Sequence, residues 1–388
     1  MLERVLSPDG WCYASAAPIT ADDPGRFNAL FGRDSLITAL QVLPERPDVG
    51  RATLRALAAL QGSGDDPDCD EEPGKIVHEF RPRADERFTH LGWPVRDGAL
   101  RYYGSADGTS WFLVLTVALG DGALARELEA AWRAAGDWLL RTLERGAGLV
   151  RHGPRRGSGG LAQQGWRDAT DPTDPATYGA GIVRPDGTAP EPPLADADSQ
   201  AVAVVALRSL ARLSGRERDR RAAEALAERG EVSFGPETMA LEADGSEVPG
   251  AGSQLGWLLW ADALSPPAAA RAAERLCRPD VLTGHGVRTL SAEHPQFDPA
   301  GYHRGSVWPF DSWLGWGGLR AAGREREAER VRSGVLRALD TLGHAPELYA
   351  VTADGVETLP FACRVQAWTV GAAWALRNHW DGRVVQAG

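Results

Sequence analysis

The chain alternates short runs that are apolar on nearly every face with runs that are apolar along one stripe only. Leu36–Leu43 is a compact apolar run, opened by Gly32-Arg33-Asp34-Ser35 and stopped by Pro44. Val49–Gln61 follows, with Leu54, Leu57, Ala58 and Leu60 at helical spacing. Ser110–Leu119 is apolar all round, and Leu124–Leu143 behind it is amphipathic. Further helices are predicted at Asp198–Leu213, Arg216–Arg229, Ser253–Leu264, Pro267–Cys277, Ser306–Ala322, Glu325–Leu342 and Val365–Asn378, eleven or so in all. Runs that alternate as strands do are few.

The helices fall largely in pairs, an apolar member followed by one studded with Arg and Glu. Trp257-Leu258-Leu259-Trp260 before Ala268–Arg275 is one such pair. Inner helices of a double ring are buried on most faces, whereas outer ones keep a wet face. The pattern therefore predicts an all-α fold, an α/α toroid whose long loops form one functional face. A solenoid would show a fixed repeat of roughly 34–47 residues, and none recurs. A plain bundle would lack the long loops that carry the unusual residues here. Residues 1–388 read as a single domain, with 1–30 as an extended lead-in strapped to the body and no β-sandwich ahead of it. The long insertion from Gly62 to Arg101 is acidic early and rich in Phe, Trp and His later. A loop of that length in a compact domain is usually functional or disordered, and its aromatics favour function.

Composition narrows the classes of function. Apolar residues make up 43% and charged ones 24%, as in an ordinary soluble protein. A formal net charge of −11 argues against nucleic acid or an anionic membrane as the main partner. Basic residues are almost all Arg, with Lys75 the single lysine, a habit expected of a GC-rich bacterial source. Cys12, Cys69, Cys277 and Cys363 are scattered, without the spacing of a zinc site or a disulfide framework. No signal peptide and no membrane span is read, so the expected location is the cytoplasm. Nothing in the residues predicts the oligomeric state.

Chemistry concentrates in five stretches. The central one, Gln163-Gln164-Gly165-Trp166-Arg167-Asp168-Ala169-Thr170-Asp171, places an indole two positions before a carboxylate in a Gly- and Pro-rich setting. Sugars present apolar C–H faces and hydroxyl edges, and such a pair answers both; a Trp plugging a loop beside a capping Asp is the plainer alternative. Phe31-Gly32-Arg33-Asp34-Ser35 offers Asp34 either as a helix N-cap or as a site carboxylate. His78-Glu79 goes with Tyr102–Thr109, in which Asp107 or Thr109 can cap the next helix. The run from Asp298 to Asp311 holds Tyr302, His303 and Trp308 and is denser in rigid polar and aromatic groups than a helix entry needs. Glu347 lies in Pro346-Glu347-Leu348-Tyr349, ahead of Gln366 and Trp368 at the start of the last helix.

The ordered series FGRDSL, GKIVHEFR, YYGSADGT, GWRD, YHRGSVWP, PELY and CRVQAWTVGA resembles the catalytic domain of bacterial amylo-α-1,6-glucosidase (glycogen-debranching) proteins. These are relatives of the trehalase, glucoamylase and mannosylglycerate-hydrolase group, and the match is collinear from about Phe27 to Asn378. The resemblance implies an (α/α)6 toroid of six helix pairs. It also implies exo-acting cleavage of an α-linked sugar with inversion, which needs two carboxyl groups roughly 6.5–9.5 Å apart with a water between. The implied general acid is Asp168 and the implied general base is Glu347. Arg33, Asp34, His78, Glu79, Asp107, Gln164, Tyr302, His303, Gln366 and Trp368 would shape the pocket. Arg33 and Asp34 would meet the terminal sugar's hydroxyls, and Trp166 and Trp308 would stack on it. No metal or organic cofactor is implied, and the expected partner is an α-linked oligosaccharide or small glycoside.

The departures from the family pattern fall on leaving-group positions. Ser110-Trp111 follow the DxT element where Pro is usual, Phe310 stands for His, Ala169 for Ser, and Asp198-Ser199-Gln200 for Glu-Val-Gln. An α-glucosidase is the main expectation. A hydrolase of glucosylglycerate, mannosylglycerate or another small α-glycoside is the alternative; an anionic aglycone would want arginines nearby, for which Arg155, Arg156, Arg167 and Arg304 are candidates. A sugar-binding protein without turnover, and a helical scaffold, are the rivals from other classes.

Overall fold

A computed structural model describes residues 1–18, 26–155 and 160–383. It is mostly helical. The helices are α1 (Gly32–Gln41), α2 (Pro47–Ala59), α3 (Glu86–His90), α4 (Gly108–Ala118), α5 (Gly122–Glu127), α6 (Glu129–Arg145), α7 (Ala197–Ser214), α8 (Glu217–Ser233), α9 (Gln254–Trp260), α10 (Pro266–Leu276), α11 (Pro309–Ala321), α12 (Glu325–Leu342) and α13 (Ala367–Arg377). α1 packs on α4, α4 on α7, α7 on α9, α9 on α11, α11 on α13, and α13 back on α1. These six helices close a cycle. Their sequences explain their place: α4 and α11 are buried along almost their whole length, as helices with neighbours on every side must be.

The amphipathic helices lie against this cycle. α2 packs on α1 and α4, α6 on α4 and α7, α8 on α7, α10 on α9, and α12 on α11 and α13. In α12, Ala328, Val331, Val335, Ala338 and Leu339 are buried while the Arg and Glu positions between them face outward, and Gly343 ends the helix at φ +70°. α9 and α11 approach closely: a Cβ on Gly256 would come within 2.6 Å of Gly315 Cα, and one on Gly318 within 2.5 Å of Gly256 O. Glycine at 256 and 318 is what lets these Trp-rich helices meet.

Four features differ from the sequence reading. The helix predicted at Leu124–Leu143 is two, α5 and α6, broken at Leu128, with Asp121 capping α5 through bonds to Ala123 and Leu124 N–H. The helix predicted at Ser253–Leu264 is only Gln254–Trp260. The Gly62–Arg101 insertion contains α3 and three of the strands of a four-stranded antiparallel sheet, β1 (Leu30–Phe31), β2 (Glu79–Arg81), β3 (Val95–Arg96) and β4 (Ala99–Tyr102), in the order β1-β2-β4-β3. Its strands are too short for period-two patterning to register. Finally, α13 has against it the 3-10 turn Leu2–Val5 in place of a sixth amphipathic helix. Ala16 N–H bonds Val365 O, and Ala367 N–H bonds Ala14 O, which ties residues 14–16 to the start of α13. Among the described residues no helix is long and apolar enough to cross a membrane.

All six helices of the cycle begin at the same kind of place. Arg33 and Asp34 sit in the first turn of α1, Asp107 precedes α4, Asp196 precedes α7, Ser253 precedes α9, Trp308 precedes α11 and Gln366 precedes α13. The polar stretches singled out in the sequence are therefore the connections into these N-termini.

Candidate active site

The loop carrying Asp168 is a closed structure. Gln163 and Ala169 exchange main-chain hydrogen bonds of 3.1 and 3.3 Å, which leaves Trp166, Arg167 and Asp168 at the tip. The Gln163 amide fixes it further, donating to Ile182 O at 2.8 Å and accepting from Ile182 N at 2.7 Å. Gly165 is required by a close approach: a Cβ there would come within 2.8 Å of Asp196 Oδ2, on the residue that caps α7. Arg33 then ties the tip to α1. Its Nη2 donates to Asp168 Oδ2 at 2.5 Å, and its Nη1 donates to Asp107 Oδ1 and to Gly165 O, each at 3.0 Å.

Glu347 enters from the other side, just ahead of the strand β5 (Tyr349–Thr352). Each of its carboxylate oxygens accepts a hydrogen bond. Tyr302 Oη donates to Oε1 in a short hydrogen bond, and Cys363 N–H donates to Oε2 at 3.1 Å. Glu347 N–H in turn donates to Cys363 O at 2.9 Å, so backbone and side chain are both held.

Asp168 and Glu347 line one cavity of about 500 Å³, along with Arg33, Asp34, His78, Glu79, Trp166, Tyr302, His303, Trp308, Gln366 and Trp368. Two residues expected there lie behind it. Asp107 is 1% exposed and grips Arg33 while accepting from Ser105 Oγ at 3.0 Å; it caps nothing, since Ser105 takes the Gly108 N–H. The Gln164 amide donates to Asp70 Oδ2 at 3.0 Å, its main-chain N–H donates to His152 Nδ1 at 3.1 Å, and the residue lines a separate cavity of about 240 Å³. Its side chain is turned to Asp70 and that second cavity.

Burial dominates the electrostatics. It pushes the Asp34 carboxyl up to about 8, against Arg33 and with help from the Asp168 and Glu347 charges. It lifts Glu347 to about 7, with Tyr302 and Cys363 pulling the other way, and Asp168 to about 6, restrained by the Arg33 ion pair. Three carboxyls facing one cavity cannot all ionise cheaply, so their protonation is shared. Both cavity histidines are held well below the usual imidazole range by burial and then by nearby arginines. The Gly181 N–H donates to His303 Nδ1 at 2.9 Å, so this neutral ring carries its proton on Nε2. His78 Nδ1 is buried without a partner. Asp34 Oδ1 accepts from Gln366 Nε2 at 3.2 Å.

The tryptophans expected as platforms have their faces occupied. Trp166 is 1% exposed, with the Arg167 guanidinium 4.6 Å over its ring and Trp257 running parallel at 6.0 Å. Trp308 is stacked with His303 at 5.3 Å and spends its Nε1–H on Tyr302 O. Trp368 stacks on Phe310 at 3.9 Å, an apolar contact at the position where the family pattern has His. These rings build the cavity floor and present edges to it.

The accessible rim comes from residues that the sequence reading does not single out. Arg26, Phe27, Arg81, Arg87, Phe88 and Trp93 line it, as do Asp174, Thr177 and Tyr178. The repeated Arg beside Phe in Phe80-Arg81 and Arg87-Phe88 is a usable signal, since Arg81 and Arg87 lie 4.9 and 5.1 Å over the Phe88 ring. The arginines considered for an anionic aglycone fall elsewhere. Arg155 lines the cavity that holds Gln164, Arg167 is buried in an ion pair with Asp198, Arg304 lines a neighbouring groove, and Arg156 lies outside the described residues.

Comparison with solved structures places this fold beside the GH63 mannosylglycerate hydrolase from Thermus thermophilus. The form in complex with Tris and D-glycerate aligns at a TM-score of 0.69 and 16% identity, covering 96% of this chain and 97% of that one. The form in complex with glucose aligns at 0.64 and 18%, covering 97% of each. At that identity the likeness establishes the fold. Comparison with curated proteins gives no match. Residues 121–355, more than half of the 388, match the family described as the mannosylglycerate hydrolase MGH1-like glycoside hydrolase domain, a span that includes both Asp168 and Glu347. The chain belongs to this family and is a glycoside hydrolase.

Proposed function

We propose that the protein is an inverting, exo-acting α-glycosidase on an (α/α)6 toroid, with Asp168 as general acid and Glu347 as general base. The observation that carries this reading is the convergence of the two carboxyls on one cavity from separate loops. In the reaction a water held by Glu347 attacks the anomeric carbon while the bond to the aglycone oxygen breaks. Glu347 takes the water's proton, and Asp168 gives its own to the departing oxygen. The Tyr302 and Cys363 donors favour an ionised Glu347, as a base needs. Asp34 and Gln366, bonded to each other, together with neutral His78 and His303, supply donors and acceptors for the hydroxyls of the bound sugar. The toroid reading is supported by the closed cycle of six helices with amphipathic helices against it.

The preferred substrate is a small α-glycoside with an anionic aglycone of the glycerate kind, ahead of a neutral glucan. Three arginines line the cavity besides Arg33, and Arg87 at the rim is exposed, a natural partner for a carboxylate. Family membership and the glycerate-bound neighbour point the same way.

One observation favours a second assignment, with the two roles exchanged. Glu347 holds its proton to about 7 and Asp168 only to about 6, the reverse of what acid and base require. Glycosyl fluorides decide between the two, because fluoride leaves without protonation. Asp168→Asn is expected to lose about 10²–10⁴-fold on the glycoside yet stay within roughly tenfold of native on the fluoride, whereas Glu347→Gln loses both. The opposite pattern assigns the acid to Glu347. Full activity of both variants would end the reading.

A further inference from the structure

The catalytic cavity does not end at its arginine rim. Tyr178 lines it and also lines an adjacent groove of about 530 Å³, whose other walls include Phe361, Phe297, Gln296, Asp298 and Arg304. The Tyr178 ring is stacked on Phe361, with centroids 4.3 Å apart and planes 15° from parallel. Half of Tyr178 is nevertheless exposed, one of the few large apolar side chains in the described residues that is.

Its backbone is held in an unusual state to achieve this. Tyr178 has φ +54°, a left-handed conformation that is unfavourable for a residue with a Cβ and that persists only where surroundings enforce it. The enforcement comes from the catalytic loop. Tyr302 N–H donates to Tyr178 O at 2.7 Å, and His303 N–H donates to Gly179 O at 3.1 Å. Tyr302 is the residue whose hydroxyl holds Glu347. Phe361 is tied in as well: its carbonyl accepts from Arg26 Nη2 at 2.6 Å, and Arg26 lines the catalytic cavity. The pair is thus built into the same framework as Glu347, with Tyr178 between the cavity and the groove.

An exposed aromatic face held beside polar side chains is the chemistry that receives a sugar ring, whose C–H face stacks while its hydroxyls find hydrogen-bond partners. Inside the cavity that role is closed to Trp166 and Trp308, which are 1% exposed. A three-carbon acid alone has no ring to lay on Tyr178. We infer that Tyr178, with the groove beside it, forms an aglycone subsite for a second sugar ring, so that the substrate is an α-glycoside at least three units long. Its terminal sugar occupies the carboxyl-lined cavity, the second sugar ring lies against Tyr178, and the acid end continues into the groove. The inference rests on the hydrolase reading above and specifies its substrate class.

The test compares substrates that differ by one unit: α-D-glucosyl-D-glycerate with α-D-glucosyl-α-D-glucosyl-D-glycerate, and the mannosyl counterparts. For the native protein kcat/KM should be about tenfold higher for the three-unit compound, and the ratio should fall toward one in Tyr178→Ala, as for loss of one aromatic stacking contact. Using the ratio removes any change in the amount of folded enzyme. A ratio at or below one in the native protein, or a tenfold ratio that survives in both Tyr178→Ala and Phe361→Ala, overturns the subsite. If the native protein cleaves none of these compounds, the hydrolase reading fails on them, and titration calorimetry still decides the groove. About tenfold tighter binding of the longer compound, lost in Tyr178→Ala, supports the subsite; equal affinity, or no binding of either compound, overturns it.

Discussion

At the scale of single residues the site is a contest between burial, which protonates carboxyls, and a few directed donors, which ionise them. Tyr302 is the clearest lever. Its hydroxyl donates to Glu347 Oε1 and favours the ionised carboxylate, so Tyr302→Phe should raise the Glu347 pKa further above about 7. Under the roles proposed, the working form has Glu347 ionised and Asp168 protonated, a minority form when Glu347 lies at about 7 and Asp168 at about 6. The native kcat/KM profile should be a narrow bell with limbs near 6 and 7. Raising Glu347 leaves the acidic limb in place, so in Tyr302→Phe the alkaline limb should move to higher pH and the maximum should fall. An unmoved alkaline limb with an unchanged maximum would mean that Glu347 is not the group that must lose its proton. Part of this is legible in the sequence: the GWRD and PELY stretches name both carboxyls, and Asp34 is open between cap and site. Helix α1 begins at Gly32 with Phe31 at its N-cap, which leaves the Asp34 side chain to the cavity. Spacing misplaces Asp107 and Gln164 because it reports that a residue is near a site but not which side of a closed loop it faces.

At the scale of elements, the loop 163–169 is rigid by construction, pinned by Gln163, anchored by His152 and seated on the Asp196 cap of α7. Gly165 is its tightest point. Gly165→Ala should force the loop off Asp196, costing about 1–3 kcal/mol in denaturant unfolding, as overpacking does. It should also reduce kcat/KM more than tenfold, because a misplacement of an ångström at a reacting group is expensive. Unchanged stability and activity together would show that the loop yields freely, against the geometry described. Long helices are legible from periodicity, since α7, α8, α11 and α12 bury one stripe or all faces over three turns or more. The strands of two to four residues are not, because tertiary pairing decides them.

At the scale of the whole molecule, loops far apart in the chain line one cavity, and that gathering is what makes a site of stretches more than 300 residues apart, such as Asp34 and Gln366. The order of motifs predicts which loops meet. It does not predict the rim, because Arg26, Arg81, Arg87 and Tyr178 take their meaning only from the cavity they surround. The main expectation of an α-glucosidase of the debranching type gives way accordingly to the alternative raised with it, since the family match is to mannosylglycerate hydrolase-like enzymes and the rim is arginine-rich.

The most direct measurement is proton NMR of the native protein acting on glucosylglycerate, mannosylglycerate, their longer homologues, maltose, isomaltose and trehalose, recording the anomer of the sugar first released. Two carboxyls with a water between them predict release of the β-anomer from an α-glycoside, before mutarotation mixes the two. First release of the α-anomer would mean a covalent intermediate on one carboxyl and would contradict the roles assigned to Asp168 and Glu347.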